Sequence, residues 1–218
     1  MSSNEYGYIP KAPSQSVGNN DGVFSVNNVR DLLIDEKWRT YGQLEHIQTQ
    51  TVTSSTASVI FTDIKEDEYN IHFATWNNFQ STVTNKRFVM RFYEYGTEES
   101  ASVYQSAMQC AGTDYIGATK TTGEDSIFLG TNTTTTANQS VSGYVYIYNA
   151  GNGTEYTFTN SHDVGMYQSG PNMRSHFGGA VLPQASVVNQ LKFFSTATSN
   201  IEHVVISLYG VKGYWYEY

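Results

Sequence analysis

The sequence predicts an all-β fold: a two-sheet antiparallel β-sandwich of jelly-roll type, preceded by an extended N-terminal arm and one short helix. Three observations carry that expectation. From residue 43 to residue 211 side chains alternate with a period of two, as on a pleated strand. The composition is 14% aromatic, with 17 Tyr and 11 Phe against 15% charged residues, which suits half-buried sheet surfaces better than helices. Clusters of Gly, Asn, Ser and Thr bound the runs at short intervals, as turns do. A chain of 218 residues accommodates one such sandwich plus an arm.

Residues 1–24 hold Pro10 and Pro13 among Ser, Gln, Asn and Gly, with isolated apolar positions Tyr6, Tyr8, Ile9, Val17 and Phe24. Such a segment cannot bury a core of its own. It reads either as a disordered tail or as an extended arm; the spaced aromatics favour an arm that docks on a neighbour. Residues 25–42 form a helix and hinge. Ser25 is a suitable N-cap, Val26, Val29, Leu32 and Leu33 recur at helical spacing up to Lys37, Arg30 and Asp31 lie opposite, and Trp38, Tyr41 and Gly42 lead into the first strand.

Residues 43–218 are the sandwich domain. Strand patterns run over residues 43–49, 58–62, 69–75, 87–95, 126–129, 140–149, 155–159, 179–182, 190–195 and 203–211. Ten short strands joined by polar turns indicate two packed sheets. The Thr-rich stretch at 131–136 reads as a loop between strands, and no internal repeat or second domain is evident.

Charge and motif content narrow the function. A net charge of -8 with no Lys/Arg-rich run argues against nucleic acid or anionic lipid as partner. The N-terminus lacks the basic start and apolar run of a signal peptide, and no stretch approaches the roughly 18 apolar residues of a membrane span. The expectation is therefore a protein kept in the cytoplasm or packaged into something assembled there.

No catalytic residues, metal or cofactor are expected. Cys110 stands alone, in no activating setting, and reads as a small buried or partly exposed hydrophobe. The five histidines, His46, His72, His162, His176 and His203, share no ligand spacing, and His72 and His203 suit a polar strand face. Glu66-Asp67-Glu68 reads as a solvated turn rather than a calcium or glycosidase site, and Gly151-Asn152-Gly153 as a hairpin turn rather than a phosphate loop.

The most informative strand is 141–148. Alternation places Val141, Val145 and Ile147 on one face and Tyr144, Tyr146 and Tyr148 on the other, a three-tyrosine ladder. Tyrosine joins large apolar area to a hydroxyl, so the ladder fits a subunit contact first, a packed inner face next and a sugar ring third. Trp76 is a further glycan candidate, and Tyr214 and Trp215, in an aromatic C-terminus, are further contact candidates.

The segments Ile9-Pro10-Lys11-Ala12-Pro13-Ser14-Gln15-Ser16, Asn20-Asp21-Gly22-Val23-Phe24-Ser25 into Asp31-Leu32-Leu33, Leu44-Glu45-His46-Ile47 and Val205-Ile206-Ser207-Leu208-Tyr209-Gly210-Val211-Lys212 resemble short virion appendage proteins of tailed bacteriophages of marine bacteria, cyanophages especially. The resemblance implies a structural protein of the virus particle: a short fibre, tail appendage or capsid decoration subunit. The resemblance also implies that the arm attaches to other virion proteins and that the subunit is trimeric, with its β domain pointing outward. The absence of heptads or a repeated stalk departs from a long fibre. The competing expectation is a carbohydrate-binding module for host surface polysaccharide, resting on Trp76, Tyr144, Tyr146 and Tyr148.

Overall fold

The computed structural model describes residues 15–16, 19–20, 26–34, 44–136, 138–167, 172–196 and 199–212. The chain divides into two units, Met1–Gly42 and Gln43–Tyr218. In the first, β1 (Gln15–Ser16) and β2 (Asn19–Asn20) pair antiparallel. Helix α1 spans Val26–Ile34, and Arg30 pairs with Asp31 on its exposed side; Lys37, to which the helical spacing runs, lies outside the described residues. No helix among the described residues is long and apolar enough to cross a membrane.

The second unit is built from two antiparallel sheets. Its strands are β3 (Leu44–Val52), β4 (Ser58–Phe61), β5 (Ile71–Ser81), β6 (Phe88–Glu94), β7 (Thr97–Glu98), β8 (Tyr104–Gly112), β9 (Ile116–Glu124), β10 (Ile127–Phe128), β11 (Val141–Tyr148), β12 (Tyr156–Met166), β13 (Met173–Ala185), β14 (Val188–Ser195) and β15 (Ile201–Val211). The larger sheet has eight strands in the order β3-β15-β5-β11-β12-β13-β8-β9. The smaller runs β10-β6-β14-β4, with β7 added to β6 through a two-residue turn at Tyr95 and Gly96. Both turn residues have positive φ, 49° and 84°, the backbone twist that suits a tight hairpin.

The core lies between the sheets because each strand buries alternate residues. Ala74 and Trp76 of β5, Val145 and Ile147 of β11, and Val204, Ile206 and Leu208 of β15 face Phe88, Met90 and Phe92 of β6 and Leu191 and Phe193 of β14. Phe79, Phe88, Phe193 and Phe61 touch in sequence, with ring centroids 4.3, 5.7 and 5.9 Å apart. Full burial of an aromatic side chain is worth about 2–3 kcal/mol by area, so this run is a main source of stability.

Three expectations need correction. Strands β8 and β9 lie where no strand was expected, and β12 and β13 extend well beyond the short runs at 155–159 and 179–182. His72 does not sit on a polar face: it is fully buried on the core side of β5, with Nε2 donating to the Ile64 carbonyl at 2.8 Å. Burial pushes its imidazole below the ordinary histidine range, so it is neutral near pH 7.

The Thr-rich loop is also more than a surface turn. Thr131, Thr133 and Thr134 are buried, and buried backbone must find partners. Thr133 N donates to Lys86 O at 2.7 Å, Asn85 N donates to Thr133 O at 2.8 Å, and Thr131 N donates to Asp163 Oδ2 at 2.9 Å. The acidic turn and the Gly-Asn-Gly turn are where the sequence places them, and they meet. A Cβ on Gly151 would lie 2.0 Å from Glu66 O, so the β11–β12 turn requires glycine there.

Candidate functional site

The tyrosines of β11 stand in register with residues of every other strand in the large sheet. On the outer face one row reads His46, Tyr209, Phe73, Tyr146, Asn160, Gly179, Ala107, Lys120 from β3 to β9. The next reads Thr49, Ser207, Thr75, Tyr144, His162, Phe177, Gln109, Ala118, and the row on the other side Leu44, Val211, Ile71, Tyr148, Phe158, Val181, Gln105, Thr122. Lys120, at the edge, is the only formal charge in these three rows.

Registry at this spacing brings rings into contact. Phe73 lies 4.6 Å from Tyr146, 5.7 Å from Tyr144 and 6.1 Å from Tyr209, centroid to centroid. Tyr146 stacks on Tyr148 at 6.3 Å. His46 meets Tyr209 edge-on at 5.5 Å, Tyr144 meets His162 at 5.8 Å, and His162 meets Phe177 at 6.3 Å. The rings form one seam from β3 to β13. Each such pair adds about 0.5–1.5 kcal/mol beyond area burial, so the seam also fixes strand register.

Among the described residues nothing covers the seam. Tyr144 is 38%, Phe158 46% and Phe177 52% exposed, and Tyr156 and Val164 are exposed on the same face of β12. Two polar anchors hold it: His162 Nε2 and Ser175 Oγ lie 2.8 Å apart, and Ser175 Oγ donates to Asp163 O at 2.7 Å.

The outer face of the small sheet is different in kind. Arg91 bonds Glu98 at 2.9 Å and Asp125 at 2.6 Å, and Lys192 bonds Glu98 at 2.8 Å. Arg91 lies over the Phe194 ring at 4.8 Å, and Arg87 over Phe128 at 4.7 Å. Burial alone would raise the Glu98 carboxyl, but bonds from Lys192 and Arg91 hold it below the ordinary carboxylate range. The two outer faces therefore offer a charged, self-satisfied network on one side and an uncharged aromatic seam on the other.

Of the residues singled out from sequence, Tyr144, Tyr146 and Tyr148 share the expected face. Trp76 does not join them. It is 0% exposed, on the core side of β5 opposite Gly143 and Ile206, and a Cβ on Gly143 would lie 2.5 Å from its Cζ2. A glycan cannot reach it. Tyr6, Tyr8, Ile9, Val17, Phe24, Tyr214 and Trp215 lie outside the described residues. Tyr209, one of the aromatics near the C-terminus that repeat the tyrosine theme, joins the seam, and Phe73, His162, Phe158 and Phe177, which the sequence does not single out, complete it. The even-numbered alternation Tyr156, Phe158, His162, Val164 was the available signal.

The remaining chemistry is quiet. Cys110, His176 and Asp163 face inward on adjacent strands in one register row. Cys110 is 4% exposed, however, and burial raises its thiol above the ordinary range, which keeps it protonated and unreactive. Comparison with protein-family models, with curated proteins and with solved structures finds no match.

Proposed function

We propose that this chain is a non-catalytic structural subunit of a virus particle: a short fibre, tail appendage or capsid decoration subunit of a tailed bacteriophage. In this reading residues 1–24 attach it to other virion proteins, and the sandwich assembles through its aromatic face. The observation that carries the assembly role is the exposed ring seam on the outer face of the large sheet, whose three described rows carry Lys120 as their single formal charge. Contiguous exposed apolar surface of this kind marks contact sites. The viral setting rests on the resemblance of residues 9–16, 20–25, 44–47 and 205–212 to marine phage appendage proteins.

The finer fold reading is a jelly roll. Counting β3, β4, β5, β6, β10, β11, β14 and β15 as eight strands in chain order, one sheet contains the order 1-8-3-6 and the other runs 2-7-4-5, the two Greek keys of that fold. Strands β12, β13, β8 and β9 then extend the first sheet. Jelly rolls serve as viral capsid and lectin domains, an analogy at the level of fold.

A second reading, a carbohydrate-binding module for host polysaccharide, is favoured by Tyr144, whose exposed ring and hydroxyl suit stacking on a sugar. Mass spectrometry of purified particles tests the first reading, together with particles grown with a chain lacking residues 1–24. The full chain is expected in the particles and the truncated chain is expected to be missing. Normal incorporation of the truncated chain would remove the attachment role, and a monomer that binds on a glycan array would favour the second reading.

A further inference from the structure

We infer that the outer face of the eight-stranded sheet seats a second copy of this chain, sheet against sheet, about a two-fold axis. The inference rests on the assembly role proposed above and names the partner. It is drawn from relief, charge and area.

The face is uneven in a self-complementary way. Its β5, β11 and β12 part is a ridge of large rings, among them Phe73, Tyr144, Tyr146 and Phe158. Beside the ridge, on β13, β8 and β9, the exposed small residues Gly179, Ala107 and Ala118 form a narrow diagonal trough, with Phe177 and Gln109 on one side and Val181, Gln105, Thr122 and Lys120 on the other. A two-fold axis between the two strips sets the ridge of one copy into the trough of the other, and the reverse. Gln105, Gln109 and Lys120 border the trough and offer hydrogen-bonding partners to incoming tyrosine hydroxyls.

Charge points to the same occupant. The chain carries a net charge of -8, so two copies repel unless they meet where the charge is absent. In the three rows described, Lys120 is the only charged side chain and it is positive. A three-fold ring would instead set this face against a different one. The charged network of Arg91, Glu98 and Lys192 on the small sheet offers no match for uncharged rings.

The area suffices. Eight strands at about 4.8 Å spacing, and eight steps of about 3.3 Å from Tyr156 to Val164, give a face of roughly 900 Å². A standard stable interface takes about 800 Å² from each partner.

The test is sedimentation of the full chain at micromolar concentration, alongside Ala107→Arg and Ala118→Arg in the trough, Phe177→Ser beside it, and Ser58→Arg on the small sheet. Wild type and Ser58→Arg are expected to sediment as two-copy species. The trough variants are expected to weaken the pair at least tenfold while circular dichroism and melting stay close to wild type. Three outcomes overturn the inference: a monomeric wild type, a pair untouched by the trough variants, or a trimer. A monomeric wild type whose Tyr144 ring resists nitration would show that another segment of the chain covers the face, and this also overturns the pair. The particle role is read separately. A monomer that still enters particles removes the pair alone, and a pair absent from purified particles removes the particle role alone.

Discussion

Asp163 and His176 face each other across β12 and β13, the carboxylate Oδ1 accepting from His176 Nδ1 at 3.2 Å and from His176 N at 3.0 Å. The other oxygen, Oδ2, accepts Thr131 N at 2.9 Å, so one fully buried side chain ties the Thr-rich loop to the large sheet. Asp163→Ala leaves those buried donors unpaired, each at a cost of about 1–3 kcal/mol. The variant is expected to lose about 3 kcal/mol or more in urea unfolding, and Asp163→Asn less. A loss within 0.5 kcal/mol, about the scatter of surface substitutions, would contradict the tie.

Gly178 lies where β13 crosses close to β8. A Cβ there would sit 2.2 Å from Ala107 O, a backbone atom that cannot swing aside. Gly178→Ala is expected to cost about 1–3 kcal/mol through forced strand separation. At Gly153 the nearest atoms are side chains at 3.3 and 3.4 Å, so Gly153→Ala is expected to cost clearly less. Thermal melting of the two variants compares them directly, and equal melting temperatures would contradict the packing described.

Trp76 belongs to the core and Tyr144 to the surface, which separates stability from binding. Trp76→Ala is expected to lose about 3–5 kcal/mol in denaturant unfolding, as large-to-small core substitutions do. Tyr144→Ala removes cross-strand ring contacts with Phe73 and His162 of about 0.2–1 kcal/mol each and is expected to cost near 1 kcal/mol. The reverse order of the two losses would contradict the placement of Trp76.

His72 makes stability depend on acidity with a definite sign. Burial holds its folded-state pKa below the ordinary value, so as pH falls through about 6.5 the unfolded chain takes up a proton that the folded chain refuses. Its contribution is present above that pH and declines below it. His72→Phe removes the titration, though it also removes the donor to Ile64 O. Urea midpoints from about pH 7.5 to about pH 5 are expected to fall more steeply for wild type than for the variant. Parallel slopes would contradict a neutral buried His72.

Much of the sandwich was legible because its core strands follow simple alternation. In β11 the odd residues Val141, Val145 and Ile147 are core and the even tyrosines are surface, as period two demands. Strands β8 and β9 were hidden because YQSAMQCAG and IGATKTTGE contain few β-branched apolar residues in alternation. The C-terminal part of β12 was hidden because its inward residues Ser161 and Asp163 are polar, so no apolar alternation marks it. Trp76 was misplaced because an indole in a polar stretch reads equally as a sugar platform. Only the parity it shares with Ala74 and His72 sends it inward. The seam itself joins residues more than 150 positions apart, His46 and Tyr209 among them, and that pairing is set by strand order rather than by local pattern.

The central claim is that the ring-bearing face of the large sheet is a contact surface in an assembled particle. A reconstruction of the intact particle at side-chain resolution tests it most directly. Tyr144, Phe158 and Phe177 are expected to pack against another chain there, with the Arg91–Glu98–Lys192 face turned to solvent. A sandwich that meets its neighbours through that charged face, its rings open to water, would contradict it.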